Sequence, residues 1–136
     1  MFIKIVLRSR LSLSAISISR GYASTAGWGR FTKPAKSVDG FYIDTRQGQR
    51  QVLKDWVSRN GHKYRFEVAD DTDFDMATAF WAETFNKTSN IVEKLNPEEH
   101  ELYPVLVPMA EFMIAQRNII ICFDEGGRLV GTGVEK

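Results

Sequence analysis

Ile119-Ile120-Ile121-Cys122-Phe123-Asp124-Glu125-Gly126-Gly127-Arg128-Leu129-Val130-Gly131-Thr132-Gly133-Val134 decides the fold class. Residues 118–123 form a short, strongly apolar run, rich in β-branched side chains and bounded by turn residues, which reads as a strand. Asp124-Glu125-Gly126-Gly127 supplies the residues of a hairpin turn, and residues 128–134 follow as a second strand.

Upstream the periodicity changes. Tyr64-Arg65-Phe66-Glu67-Val68-Ala69 alternates apolar and polar side chains at period two, the pattern of a half-buried strand. Asp70-Asp71 turns the chain, and Thr72 with Asp75 makes an N-cap and N3 pair. The carboxylates of Asp73 and Asp75 suit the positive end of a helix dipole. Ala77, Phe80, Trp81, Thr84 and Phe85 then mark one face of a helix ending near Asn86.

After the polar loop Lys87-Thr88-Ser89-Asn90 comes a short apolar turn, residues 91–95. Asn96-Pro97-Glu98-Glu99 reads as a helix start, with Asn96 as cap and Pro97 at the first helical position. Leu102, Val105, Leu106, Met109, Phe112 and Met113 line one face. Pro104 and Pro108 predict a break: a short turn up to Tyr103, then a main helix to about Gln116.

Chemistry-bearing residues are few. Asp71, Asp73 and Asp75 have the spacing of calcium-loop ligands, but Met76 stands where the loop needs Gly and Ala82 where it needs a bidentate Glu. Helix capping is the better reading. Cys122 is the only cysteine, which excludes an intramolecular disulfide and reads as a buried, inert thiol. His62 and His100 are too isolated for a metal site, and none is expected.

The remaining N-terminal half divides in three. Residues 39–60 are partly ordered: Phe41-Tyr42-Ile43 reads as a short extended piece, and residues 49–59 as a helix. That helix would dock Val52 and Trp56 and end at Asn60-Gly61. Residues 23–40, with Gly, Ser, Thr, Lys and Pro34, read as a flexible linker. Residues 1–24 are basic, Ser-rich and free of acids, the features of a mitochondrial transit peptide. Ser19-Arg20-Gly21-Tyr22-Ala23-Ser24 resembles a matrix-processing pattern, which implies cleavage after Tyr22 and a matrix location. The competing readings are a secretory signal, whose apolar core Arg8 and Arg10 would interrupt, and a plain basic tail.

Charge is sorted along the chain. Residues 1–38 carry seven Lys/Arg and no acid, and residues 39–136 carry eleven Lys/Arg against seventeen acids, a net of −6. An acidic remainder argues against nucleic-acid binding and leaves amine substrates open. No run approaches the ~18 apolar residues of a membrane span, so no membrane insertion is expected.

The order strand, helix, helix, strand, Gly-containing turn, strand resembles the opening of the GNAT superfamily of N-acetyltransferases, and within it the arylalkylamine-type enzymes. The resemblance runs from Tyr64 to Val134 and is carried by residues 68–74, residues 80–85 and the hairpin quoted above. It implies an α/β (α+β) class: a partial GNAT-like fold, strand-helix-helix-strand-strand, with a mixed sheet that includes an antiparallel hairpin. On that division, residues 1–22 are a transit peptide, 23–62 a linker and partly ordered segment, and 63–136 the N-terminal half of a GNAT domain.

The activity implied for a complete homologue is acetyl transfer from acetyl-CoA to a small amine. Members of the superfamily hold acyl-CoA with a Gln/Arg-x-x-Gly-x-Gly/Ala loop that opens a helix after a later strand, its amides facing the pyrophosphate. The sequence reaches Lys136 before such a strand-loop-helix segment, and Gly131-Thr132-Gly133 reads as strand. The chain is therefore expected to be truncated before the acyl-CoA site and to bind no acetyl-CoA. The arylalkylamine-type enzymes also take a general base from the loop after the first helix. Here that loop, residues 87–91, holds no carboxylate, and no catalytic residue is assigned. Truncation implies a second expectation: Leu129, Val130 and Val134 exposed beside an unpaired edge, a route to self-association. A non-enzymatic mitochondrial module binding a partner through that edge is the rival reading.

Overall fold

The computed structural model describes residues 29–44, 46 and 51–135. The transit-peptide and processing readings lie outside the described residues. Four strands, β1 (Val52–Val57), β2 (Lys63–Val68), β3 (Ile119–Asp124) and β4 (Leu129–Val134), form one antiparallel sheet in the order β1-β2-β3-β4. Three helices, α1 (Phe74–Thr88), α2 (Asn90–Leu95) and α3 (Glu99–Ala115), intervene between β2 and β3. The α+β mix and the strand-helix-helix-strand-strand order hold. The expected mixed sheet is antiparallel throughout, and β1 adds a strand at its edge.

Register fixes which sheet face meets the helices. Glu67, Ile121 and Thr132 pair across β2, β3 and β4, and so do Arg65, Phe123 and Leu129. Side chains directly opposite one another point to the same face, and this face packs against α1 and α3. Ile119, Ile121, Phe123 and Leu129 join Phe74, Phe80, Trp81, Tyr103, Leu106 and Ile114 in one buried cluster. Trp81 donates its indole N–H to the Thr132 hydroxyl at 2.7 Å, pinning α1 to β4. Helix α1 is buried at nine positions, including the expected Ala77, Phe80, Trp81 and Thr84, while Phe85 is more exposed.

Several local expectations are corrected. Residues 49–59 do not form a helix: Val52–Val57 is strand β1. The i, i+4 spacing of Val52 and Trp56 also suits one face of a regular strand, but here the bulge sends them to opposite faces, Val52 opposite Glu67 and Trp56 opposite Tyr64. Trp56 stacks on Tyr64 of β2 at 5.5 Å, and Asn60-Gly61 serves as the hairpin turn, with Gly61 at φ 80. Val52 and Trp56 stay about half exposed, so the expected docking is only marginal. A bulge between Val52 and Lys54 interrupts this edge strand, a feature that discourages strand addition.

The cap at the first helical turn is Asp70, not Thr72. Backbone at Asp70 is extended, its carboxylate accepts the Thr72 N–H, and Asp73 returns the favour by accepting the Asp70 N–H at 2.8 Å. This box starts a single 3-10 turn, Asp71–Asp73, that runs into α1. The segment expected as an apolar turn is helix α2, capped by Ser89. Asn96 caps the C-terminus of α2 in the left-handed region (φ 46), and Glu98 starts α3 in its place.

Pro104 and Pro108 do not break α3, which is continuous from Glu99 to Ala115. Each proline removes one N–H to the carbonyl four residues earlier, here those of His100 and Pro104. His100, Pro104 and Pro108 all lie on the exposed side of the helix, where water can take the orphaned carbonyls.

Residues 30–44 form a packed strap; the sequence suggested a flexible linker up to residue 40 and a short extended piece at 41–43, and Ile43 does bridge antiparallel to Arg128. Phe31 and Tyr42 are among the most buried side chains of the protein. Leu129 donates its N–H to the Tyr42 carbonyl and Asp44 donates to Gly127, both at 2.8 Å, so this segment runs beside the start of β4. Leu129 and Val130 are buried and Val134 half-buried, against the expected exposure. Among the described residues no helix is long and apolar enough to cross a membrane.

Candidate functional site

Two ionic clusters lie where the strap meets the helices. The first is at the junction of β2 and α1. Glu67 (2% exposed) points to the helix side of the sheet, and Asp73 (0%) ends the 3-10 turn beside it. Arg46 binds Asp44 at 2.5 Å, Glu67 at 3.1 Å, and Asp73 directly, with its guanidinium over the Phe123 ring. Arg65 closes on Glu67 at 2.5 Å. Burial pushes the Asp73 carboxyl up to about 6, against the opposing pull of the Asp70 N–H and Arg46. Burial also acts upward on Asp44, but hydrogen bonds from the side chain and backbone of Arg46 outweigh it and hold that carboxyl below its usual range.

The second cluster fills the groove between α1 and α3. Lys36 Nζ meets Glu83 of α1 at 2.6 Å, and Lys33 Nζ meets Glu99 of α3 at 2.7 Å. The phenol of Tyr42 donates to Glu83 and that of Tyr103 donates to Glu99, each at 2.7 Å. Burial, reinforced by those carboxylates, holds both phenols far above their ordinary pKa, so they act as neutral donors. Phe31 inserts between Phe74 and Tyr103, with ring centroids 6.3 and 4.8 Å away.

Beside this groove a surface recess of about 410 Å³ is lined by Arg30, Asp70, Asp71, Glu111, Ile114 and Arg117, among others. Arg30 spans it, pairing with Asp71 at 2.6 Å and Glu111 at 3.5 Å. Its charges are matched within the chain.

The residues weighed from sequence are scattered. Asp71, Asp73 and Asp75 diverge to Arg30, Arg46 and the Thr32 N–H respectively. Among the described residues no group of three or more His, Cys, Asp or Glu is placed to hold a metal ion. His62 lies 3.9 Å from Glu125 and His100 lies 3.2 Å from Glu98, far apart in sequence and both at the surface. Cys122 is buried, and that burial, followed by the charge of Asp124, pushes its thiol up to about 11. Lys87 and Thr88 end α1, while Ser89 and Asn90 begin α2, so the loop after the first helix is a tight helix-to-helix joint.

Arg128-Leu129-Val130-Gly131-Thr132-Gly133 has the residue types of a Gln/Arg-x-x-Gly-x-Gly/Ala loop. Its geometry is different. Leu129–Val134 is strand, with Gly131 opposite Cys122 and Gly133 opposite Ile120, and Arg128 is tied to Asp124 at 2.6 Å. Amides that alternate along a strand do not converge on a pyrophosphate as those of a helix N-terminus do.

Sequence reasoning did not single out Arg46, Glu67, Glu83, Glu99, Tyr42 or Tyr103. Charge sorting held the signal: the cations of residues 30–36 precede every acid they pair with. Chemically, the carboxylates of both clusters hold cationic side chains, and those of the second also hold two neutral phenols as donors. Searches against family models, curated proteins and solved structures find no match to this chain.

Proposed function

We propose that residues 63–136 are the N-terminal half of a GNAT-type N-acetyltransferase domain acting in the mitochondrial matrix. The parent activity is acetyl transfer from acetyl-CoA to a small amine. The observation that supports this reading is topological: β2 leads into helices on one sheet face, and the chain returns as the antiparallel pair β3–β4 with β3 beside β2. In such an enzyme the unprotonated amine attacks the thioester carbonyl, the C–S bond breaks, and a base or water chain takes the proton. On this reading the segment Arg128–Gly133 does not serve as the acyl-CoA loop, because residues 129–134 are strand.

The transcript beyond codon 136 tests the proposal. A downstream Gln/Arg-x-x-Gly-x-Gly/Ala segment opening a helix supports it, and its product should release coenzyme A thiol when given acetyl-CoA and arylalkylamines. A stop codon with a stable product, or a longer product inert towards a panel of amines, counts against it. For the rival reading, a partner-binding module using the hairpin edge, β4 does lie at an edge of the sheet, but Leu129 and Val130 are buried and Val134 is half-buried.

A further inference from the structure

We propose that the groove between α1 and α3 is a binding site for cationic peptide segments with an aromatic anchor, and that residues 30–36 fill it as an intramolecular ligand. Arg30-Phe31-Thr32-Lys33-Pro34-Ala35-Lys36 crosses the helices with little regular structure of its own, and Pro34 cannot donate to a ladder. Its contacts form a recognition pattern. Phe31 fills the pocket made by Phe74 and Tyr103, and the Thr32 N–H reaches Asp75 at 3.0 Å. Arg30 reaches Asp71 and Glu111, Lys33 reaches Glu99, and Lys36 reaches Glu83.

Each of these contacts runs through a side chain on at least one partner. The ion pairs keep 12–77% of their side-chain surface in water, so salt can screen them. The specificity expected is for a basic residue, then an aromatic, then a lysine two positions on. The groove's carboxylates select the cations, and its two aromatic rings select the anchor. A segment binding in trans must first displace the tethered one, which lowers its apparent affinity by the fraction of chains that are open.

The test uses the full 136-residue chain and a fluorescein-labelled peptide with the sequence of residues 29–38. Lys33→Glu with Lys36→Glu loosens the strap while leaving the groove acids in place. The peptide should bind this double variant roughly tenfold or more tightly than it binds the wild type. Binding should weaken from about 50 to about 500 mM salt. It should also be lost for a peptide in which the phenylalanine is alanine, and on adding Glu83→Gln and Glu99→Gln to the protein. Equal binding by wild type and double variant overturns the proposal. Loss of the cooperative unfolding transition in the double variant also overturns it, because the strap is then an inseparable part of the core. Neither outcome bears on acetyl transfer, so the two proposals fail separately.

Discussion

The indole N–H of Trp81 points from α1 to the hydroxyl of Thr132 on β4, 2.7 Å away in the buried layer between helix and sheet. Both residues are almost wholly removed from water. A buried donor left without an acceptor costs about 1–3 kcal/mol. Thr132→Val keeps the shape, removes the acceptor and should lower unfolding stability by that amount in urea denaturation. Trp81→Phe combined with Thr132→Val should recover part of the hydrogen-bond loss in a double-mutant cycle. An unchanged midpoint for Thr132→Val would show that the contact carries no stability.

Asp73 makes the fold respond to pH. Its folded-state value, about 6, lies above the ordinary 3.8 because burial disfavours the charged form. The native protein therefore holds this proton more tightly than the unfolded chain does. The stabilising contribution is full below about 4 and is lost as pH rises through about 6. A carboxyl resonance of Asp73 should titrate near 6 by NMR, and Arg46→Met, which removes its cation, should raise that midpoint by about one unit or more. A midpoint below 4 in the wild type would show that Asp73 stays charged in the native fold.

Pro104 and Pro108 are tolerated in α3 rather than required by it. Proline in a helix interior is about 3 kcal/mol less favourable than alanine, offset by about 0.4–1 kcal/mol from stiffening the unfolded chain. Pro104→Ala and Pro108→Ala should each raise stability by roughly 2 kcal/mol, visible as a higher thermal midpoint. A lower midpoint in either variant would show that the proline makes contacts the helix depends on.

Cys122 should be inert in the folded protein. Its thiol is buried and its pKa is pushed up to about 11, so little thiolate is present at neutral pH. Labelling by a disulfide reagent should follow global unfolding, accelerating with urea in step with the loss of native circular dichroism. Rapid labelling of the native state would place the thiol at the surface.

Strands β2, β3 and β4 and helix α1 were legible because each has one strong signal: alternation at residues 64–69, apolar runs around a Gly-Gly turn, and a helical apolar stripe. Residues 49–59 misled because Val52 and Trp56 satisfy helical spacing, while the deciding contact, the stack of Trp56 on Tyr64, is made with a later strand. The prolines of α3 misled because the rule against them counts lost hydrogen bonds, and here the orphaned carbonyls face water. Least legible was the strap. Residues 30–40 have a linker's composition, but Phe31 there, and Tyr42 in the extended piece that follows, are buried through partners forty and more positions away. The ionic clusters share that cause: Arg46, Glu67 and Asp73 converge only once the sheet and helices have formed.

Gly131 and Gly133 lie in strand β4, opposite Cys122 and Ile120, and not at a helix start that could cradle a pyrophosphate. Titrating acetyl-CoA into the 136-residue protein by isothermal calorimetry probes that geometry. No saturable heat is expected. A saturable one-to-one isotherm, competed away by free coenzyme A, would contradict it.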